Sequence, residues 1–159
     1  MIIHPITPLY DKNSEILILG SFPSVKSREN GFFYGHPQNR FWKVAAAVFG
    51  EKTPLTIDEK KEFLLRNHIA LWDVIKSCEI EGSADSTIRN VQPNDLGIIL
   101  EKADIAKVFV NGRTSEKYYI RYIEPKLGIK AICLPSTSPA NASWNVEKLT
   151  EAWKIIKIR

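Results

Sequence analysis

Four short apolar runs punctuate the chain: Ile16 to Leu19, Ile69 to Val74, Ala106 to Val110 and Ile129 to Leu134. Each is continuous rather than alternating, which is the pattern of a strand whose sheet is covered by helices on both faces. Stretches with helical spacing fall at about 37–50, 58–67, 94–102, 113–124 and 144–157. Strand and helix therefore alternate. That order predicts an α/β fold, a three-layer α/β/α sandwich around a central four-stranded, mostly parallel sheet. Thr56 or Asp58 is placed to N-cap one helix, and Pro93-Asn94-Asp95 to open the next. Gly50 sits where a glycine would end the first helix, and Gly112 breaks the third strand just before a helix. Glu79 to Gln92 fits neither period and reads as a long loop, of the kind that is often functional in a small domain.

With 159 residues, 44% of them hydrophobic, the chain is long enough for one well-buried core, so residues 1–159 are expected to form a single domain. Lys and Arg number 22 against 18 Asp and Glu, a formal charge of +4, which is compatible with a polyanionic partner without demanding one. Cys78 and Cys133 have no Cys or His at a metal-binding spacing and read as free core thiols of a reducing compartment. No apolar run approaches the roughly 18 residues of a membrane span. The first residues also lack the charged-then-apolar order of a signal peptide, so a soluble cytoplasmic protein is expected.

Strands of a parallel sheet end at one edge, and α/β folds place their chemistry there. Four polar segments follow the four runs: Gly20 to Trp42, the loop through Asp85 and Ser86, Asn111-Gly112-Arg113, and Pro135 to Asn141. They supply amides, hydroxyls and aromatic rings. No carboxylate pair, Cys–His pair, zinc-ligand spacing or Gly-x-x-x-x-Gly-Lys phosphate loop is evident. A hydrolase made from such groups works by positioning and electrostatics rather than by strong acid–base partners. A flavodoxin-like nucleotide binder has the same alternation of elements. Its first loop, however, should be short and glycine-rich, whereas this one is long and aromatic.

Phe33-Tyr34-Gly35-His36-Pro37-Gln38-Asn39-Arg40-Phe41-Trp42-Lys43-Val44 resembles the corresponding loop and helix of mismatch-specific uracil-DNA glycosylases. Leu134-Pro135-Ser136-Thr137-Ser138-Pro139-Ala140-Asn141 resembles the second motif of the hypoxanthine (deoxyinosine) DNA glycosylase branch of the same superfamily. The resemblance covers essentially the whole chain and implies a uracil-DNA glycosylase-like domain. One departure separates the branches. The superfamily's first motif usually carries an Asp or Asn before its proline to handle the attacking water, and here that position is Phe22, which can neither donate nor accept a hydrogen bond.

The resemblance assigns the catalytic amide to Asn39 instead, with its carbonyl oxygen orienting a water while the base departs; the plainer reading of Asn39 is a helix N-cap. Tyr34 and Phe22 are implied as walls for the extruded base, and Asn111 as the amide that reads its polar edge. An Asn before Gly is also a common turn residue. Ser24, Lys26 and Ser27, with Ser136, Thr137 and Ser138, are implied as phosphate contacts, and Pro139-Ala140-Asn141 as the wedge that enters the duplex. Phe33, Phe41 and Trp42 read as core, and His36 as a loop-shaping residue. Arg113, Lys117, Arg121, Lys126 and Lys130, interleaved with Glu116 and Glu124, read as a solvated helix face.

The implied enzyme is a monofunctional deoxyinosine glycosylase that needs no metal or cofactor, acts on DNA as a monomer and has no membrane partner. A uracil or thymine mismatch glycosylase and a lesion binder without catalysis are the alternatives.

Overall fold

In the computed structural model, which describes residues 1–158, each apolar run becomes a strand of one parallel sheet. The first half of the chain contains β1 (Ile2–Ile3), β2 (Ile16–Gly20), α1 (Val25–Asn30), α2 (Phe41–Val48), α3 (Ile57–Arg66), β3 (Ile69–Asp73) and β4 (Ile75–Glu79). The second half contains β5 (Arg89–Pro93), α4 (Gly97–Leu100), β6 (Lys107–Asn111), α5 (Arg113–Tyr122), α6 (Glu124–Leu127), β7 (Ala131–Leu134) and α7 (Val146–Trp153).

The large sheet has the order β3-β2-β6-β7, all parallel. Every residue of β2 and β3 is buried, as continuous apolar strands covered on both faces should be. Helices α2 and α7 pack together, with the edge of Phe41 on Trp153 at 5.7 Å between ring centroids, and α5 lies on β6 and β7. The register sets Gly20 opposite Asp73 and Asn111 opposite Leu134, so the ends of all four strands meet at one edge. No helix among the described residues is long and apolar enough to cross a membrane. Cys78 is buried and Cys133 half-buried; both are free, and burial pushes both thiols up.

Several boundaries differ from the sequence pattern, each for a local reason. The helix expected from residue 37 begins at Phe41, because His36 to Arg40 form a turn in which the Asn39 N–H donates to the His36 carbonyl. A helix not anticipated, α1, lies inside the opening segment; the Ser24 hydroxyl caps its Ser27 N–H and Gly31 closes it at φ 76°. The helix expected over 94–102 shrinks to α4. Asp95 caps the Gly97 N–H, while Asn94 turns inward to donate to the carbonyls of Asp73 and Ile75. Pro125, which lacks an N–H, separates α5 from α6 where one helix was expected.

The predicted loop Glu79 to Gln92 instead contains the end of β4, a 3-10 turn at Asp85–Thr87 and most of β5. Strands β1, β4 and β5 form a second, antiparallel sheet of three strands in that order. Exposed polar side chains dominate β5, so no apolar alternation announces it.

Candidate active site

At the shared strand edge lies a cavity of about 420 Å³. It draws Gly20 to Ser24 from the end of β2, Tyr34, His36 and Asn39 from the loop before α2, and Asp73 from β3. Asp85 comes from the β4–β5 connection, Asn111 from β6, and Ser136 to Ala140 from the segment after β7. Stretches far apart in sequence thus share one space, as the parallel topology requires.

One wall is a continuous chain of hydrogen bonds. The Oδ1 of Asn39 accepts from the Phe41 N–H at 2.9 Å and from the Thr137 hydroxyl at 2.9 Å. Thr137, fully buried, in turn accepts at Oγ1 from the Asn111 Nδ2 at 3.0 Å and donates its N–H to the Asn111 Oδ1 at 3.1 Å. Asn39, one residue before the N-cap Arg40, therefore holds the first N–H of α2 and borders the cavity at once. A carbonyl oxygen has two lone pairs, and both are occupied here, so Oδ1 is not free to orient a water as the sequence reading has it. The polar group left over is the Nδ2 amide, a donor that makes no hydrogen bond among the described residues. Asn111 lines the cavity with an amide already tied at both ends to Thr137.

Arg40 holds this wall to the following segment. Its backbone N–H and its Nε reach the Thr137 carbonyl at 3.1 and 3.3 Å, and its guanidinium donates to the carbonyls of Ser138 at 2.7 Å, Asn141 at 3.1 Å and Trp144. The segment is further pinned by the Ser138 N–H on the Ser136 Oγ, the Ala140 N–H on the Ser138 Oγ, and the Asn141 Nδ2 on the Ser136 carbonyl. Pro139 and Ala140 border the cavity, while Asn141 borders an adjoining groove shared with Arg113 and Trp144.

The floor is different. Asp73 is 4% exposed, and its Oδ2 lies 2.7 Å from the Nε2 of His4, a residue just beyond β1. The Nδ1 of His4 accepts from the Ile6 N–H at 3.2 Å, so that nitrogen bears no hydrogen and Nε2 is the donor to Asp73. Among the described residues nothing donates to the Oδ1 of Asp73. This oxygen sits against Gly20, where an added Cβ would be 2.4 Å from it and 3.1 Å from the Tyr34 hydroxyl. That hydroxyl is buried with no hydrogen-bond partner. Burial, then the negative charge of Asp73, push the Tyr34 phenol far upward, the Asn111 amide offsetting a part, so it remains a protonated donor. An unpaired buried polar group costs about 1–3 kcal/mol, and Tyr34 also holds a left-handed φ of 52°, uncommon for a residue with a Cβ.

The aromatic assignments separate. One face of Tyr34 is stacked on Phe41 at 4.2 Å and 16°. Phe22, 9% exposed, lines the cavity with the His4 ring edge-on at 5.8 Å and the Arg28 guanidinium 5.6 Å from its centroid. Phe33, Phe41 and Trp42 are core residues, as expected. His36 accepts the Gln38 N–H, which shapes the loop.

The expected phosphate contacts separate too. Ser27 is buried, its Oγ accepting from the Gly35 N–H at 2.9 Å and from the Ser24 hydroxyl at 3.1 Å, so these two serines fasten α1 to the Tyr34 loop. Lys26 is exposed and faces Glu29 at 3.6 Å, outside the cavity lining. Asp85 reaches the cavity, where burial pushes its carboxyl up and a hydrogen bond with Thr114 pulls it partly back. Among the described residues lining the cavity there is no lysine to form an imine.

Asp73, His4 and Arg40 were not singled out by sequence reasoning. Asp73 had a visible signal: it is the one charged residue inside the run Ile69 to Val74.

Residues 7–157 match the Uracil DNA glycosylase superfamily. A protein named hypoxanthine DNA glycosylase from Methanosarcina barkeri is 38% identical over 136 residues, covering 84% of this chain and 85% of its own. A second of that name, from Methanosarcina acetivorans, is 36% identical over 151 residues, 92% of each chain. A solution NMR structure described as that of a uracil DNA glycosylase from Methanosarcina acetivorans superposes with a TM-score of 0.80 at 32% identity, over 98% of this chain and 99% of that one.

Proposed function

The chain belongs to the uracil DNA glycosylase superfamily, and from that premise we propose that it excises hypoxanthine from deoxyinosine in DNA as a monofunctional glycosylase. The observation that carries this reading is the displaced amide. Where the superfamily's water-handling side chain would stand, the cavity has the apolar ring of Phe22, and the carboxamide enters from Asn39, 17 positions later in the chain.

The reaction requires the target nucleotide to leave the stack and enter the cavity. The bond between the sugar C1′ and the base nitrogen then breaks, its electron pair leaving with the base while positive charge develops on the sugar. A water oxygen bonds to C1′, gives up a proton, and the base nitrogen is protonated. A neutral amide is too weak a base to take that proton. Asn39 acts through its free Nδ2 N–H, donating to the departing base as its negative charge grows. The Thr137 hydroxyl and Phe41 N–H hold the amide's other end, so the donor is oriented before substrate arrives. Phe22 and Tyr34 supply the pocket walls, and Pro139 and Ala140 are placed at its mouth to fill the gap in the duplex.

The test is a panel of duplexes containing deoxyinosine, deoxyuridine, deoxyxanthosine or thymine opposite guanine, read by formation of an abasic site in single turnover. Deoxyinosine is expected to react fastest, by 10-fold or more over deoxyuridine. Faster reaction of deoxyuridine or mismatched thymine establishes the uracil-type reading; inosine-selective binding with no abasic product establishes a lesion binder.

A further inference from the structure

Deamination of adenine changes two adjacent positions on the base. The exocyclic amino group, a donor, becomes a carbonyl oxygen; the neighbouring ring nitrogen, an acceptor, gains a hydrogen and becomes a donor. A protein that detects this change needs an acceptor that cannot reverse its polarity, placed where the ring nitrogen arrives. We propose that Asp73, with its polarity set by His4, is that acceptor, and that the cavity floor selects bases carrying a ring N–H beside a carbonyl. The proposal rests on the reading of the cavity as a base pocket.

The geometry on the floor fits the task. Asp73 lines the cavity, its Oδ2 is held by His4 at 2.7 Å, and its Oδ1 is left without a hydrogen bond against Gly20. His4 is locked as a donor at Nε2, because the Ile6 N–H occupies Nδ1. The carboxylate offers the base only lone pairs, while an adenine ring nitrogen offers only a lone pair in return. Two acceptors facing each other in a buried site repel, so the undamaged base is rejected where hypoxanthine is held. The Tyr34 hydroxyl, an unpaired donor beside the same glycine, matches the carbonyl that deamination creates.

Guanine and thymine also carry a ring N–H, so Asp73 separates deaminated bases from their parents adenine and cytosine, not from every normal base. Its negative charge opposes an anionic leaving group. Stabilising that anion therefore falls to donors elsewhere, which is the role assigned above to the Asn39 Nδ2.

The test is D73N, measured by single-turnover excision on matched duplexes containing deoxyinosine or deoxyadenosine, with thermal unfolding to establish that the variant is folded. His4 will hold the new amide by its oxygen, turning the Nδ2 donor toward the base, so excision of deoxyinosine should fall 100-fold or more and binding preference for deoxyinosine over deoxyadenosine should collapse toward unity. Two further variants read His4 itself. H4Q keeps an N–H donor for Asp73 and should retain the preference; H4L, which removes it, should lose 10-fold or more of that preference. A folded D73N with wild-type excision and preference overturns the proposal, as does an H4L indistinguishable from H4Q. Failure of the wild-type protein to act on deoxyinosine overturns the proposed substrate instead, and the two failures are separately visible.

Discussion

The wall and the floor of the cavity are built on opposite plans. On the wall, Asn39, Thr137 and Asn111 satisfy one another, and every polar atom but the Asn39 Nδ2 and the second N–H of Asn111 has a place in the chain of bonds. On the floor, among the described residues, the Tyr34 hydroxyl is buried without a partner and Asp73 Oδ1 accepts no hydrogen bond. Groups that satisfy each other are fixed in the free protein and lose nothing when substrate binds, which suits a donor acting in the transition state. Unpaired groups are stabilised only when a complementary ligand arrives, which suits discrimination.

The largest expected effect breaks the wall at its working end. Asn39→Ala should lower single-turnover excision about 10²–10³-fold, the range for removing one transition-state donor. Asn39→Asp is the sharper change. It keeps an oxygen for Phe41 and Thr137 but replaces the free N–H donor with an acceptor, so it should be as inactive as the alanine variant near neutral pH. Activity near wild type in Asn39→Asp would instead assign the residue to water activation.

A smaller effect follows from cutting the chain at its middle. Thr137→Val preserves shape and removes the hydroxyl that joins Asn111 to Asn39, leaving buried polar groups unpaired. Denaturant unfolding should show a loss of about 1–3 kcal/mol. Excision should fall about 10-fold while affinity for the DNA duplex, read by anisotropy, changes little.

The smallest effect lies away from both, near where the strands begin. Arg66 donates to Glu51 at 2.9 Å through Nε, and this hydrogen bond, ahead of every other cause, holds the Glu51 carboxyl below its usual range. A depressed carboxyl stabilises the fold above its unfolded-state pKa and loses that contribution as pH falls through the lower folded value. The pair is largely solvent-screened, so Arg66→Ala should cost about 0.2–1 kcal/mol near neutral pH, less once the pH falls through the lowered Glu51 value, and leave excision unaltered.

The wall was largely legible in the sequence, and the floor was not. Thr137 lies in the polar segment after the fourth apolar run, and Asn39 near the end of the polar segment after the first, at the start of an expected helix, so both stand out as residues beyond strand ends. Asp73 sits inside such a run, between Trp72 and Val74, and a reading that looks beyond the end of each strand passes over it. Its partner is harder still: His4 follows a two-residue strand, too short to show any period, in a small sheet whose far strand, β5, is mostly exposed and polar. Arg40 escaped notice for a different reason. Its partners are backbone carbonyls, which every residue has, so nothing in the side-chain pattern points to them. The four strands of the parallel sheet were readable because continuous burial has a plain sequence signature, while their order and the exact helix starts were not, the latter being set by single caps and one proline.

The bond between Asn39 and Thr137 spans 98 positions of sequence. Chain segments that distant meet late, because closing a long loop costs entropy before any contact repays it. The Asn39 amide therefore cannot be oriented until β7 has joined the sheet and the segment after it has reached Arg40. In a refolding experiment, helix and sheet signals should precede the return of excision, making enzymatic activity the reporter of the last event in folding rather than of the first collapse.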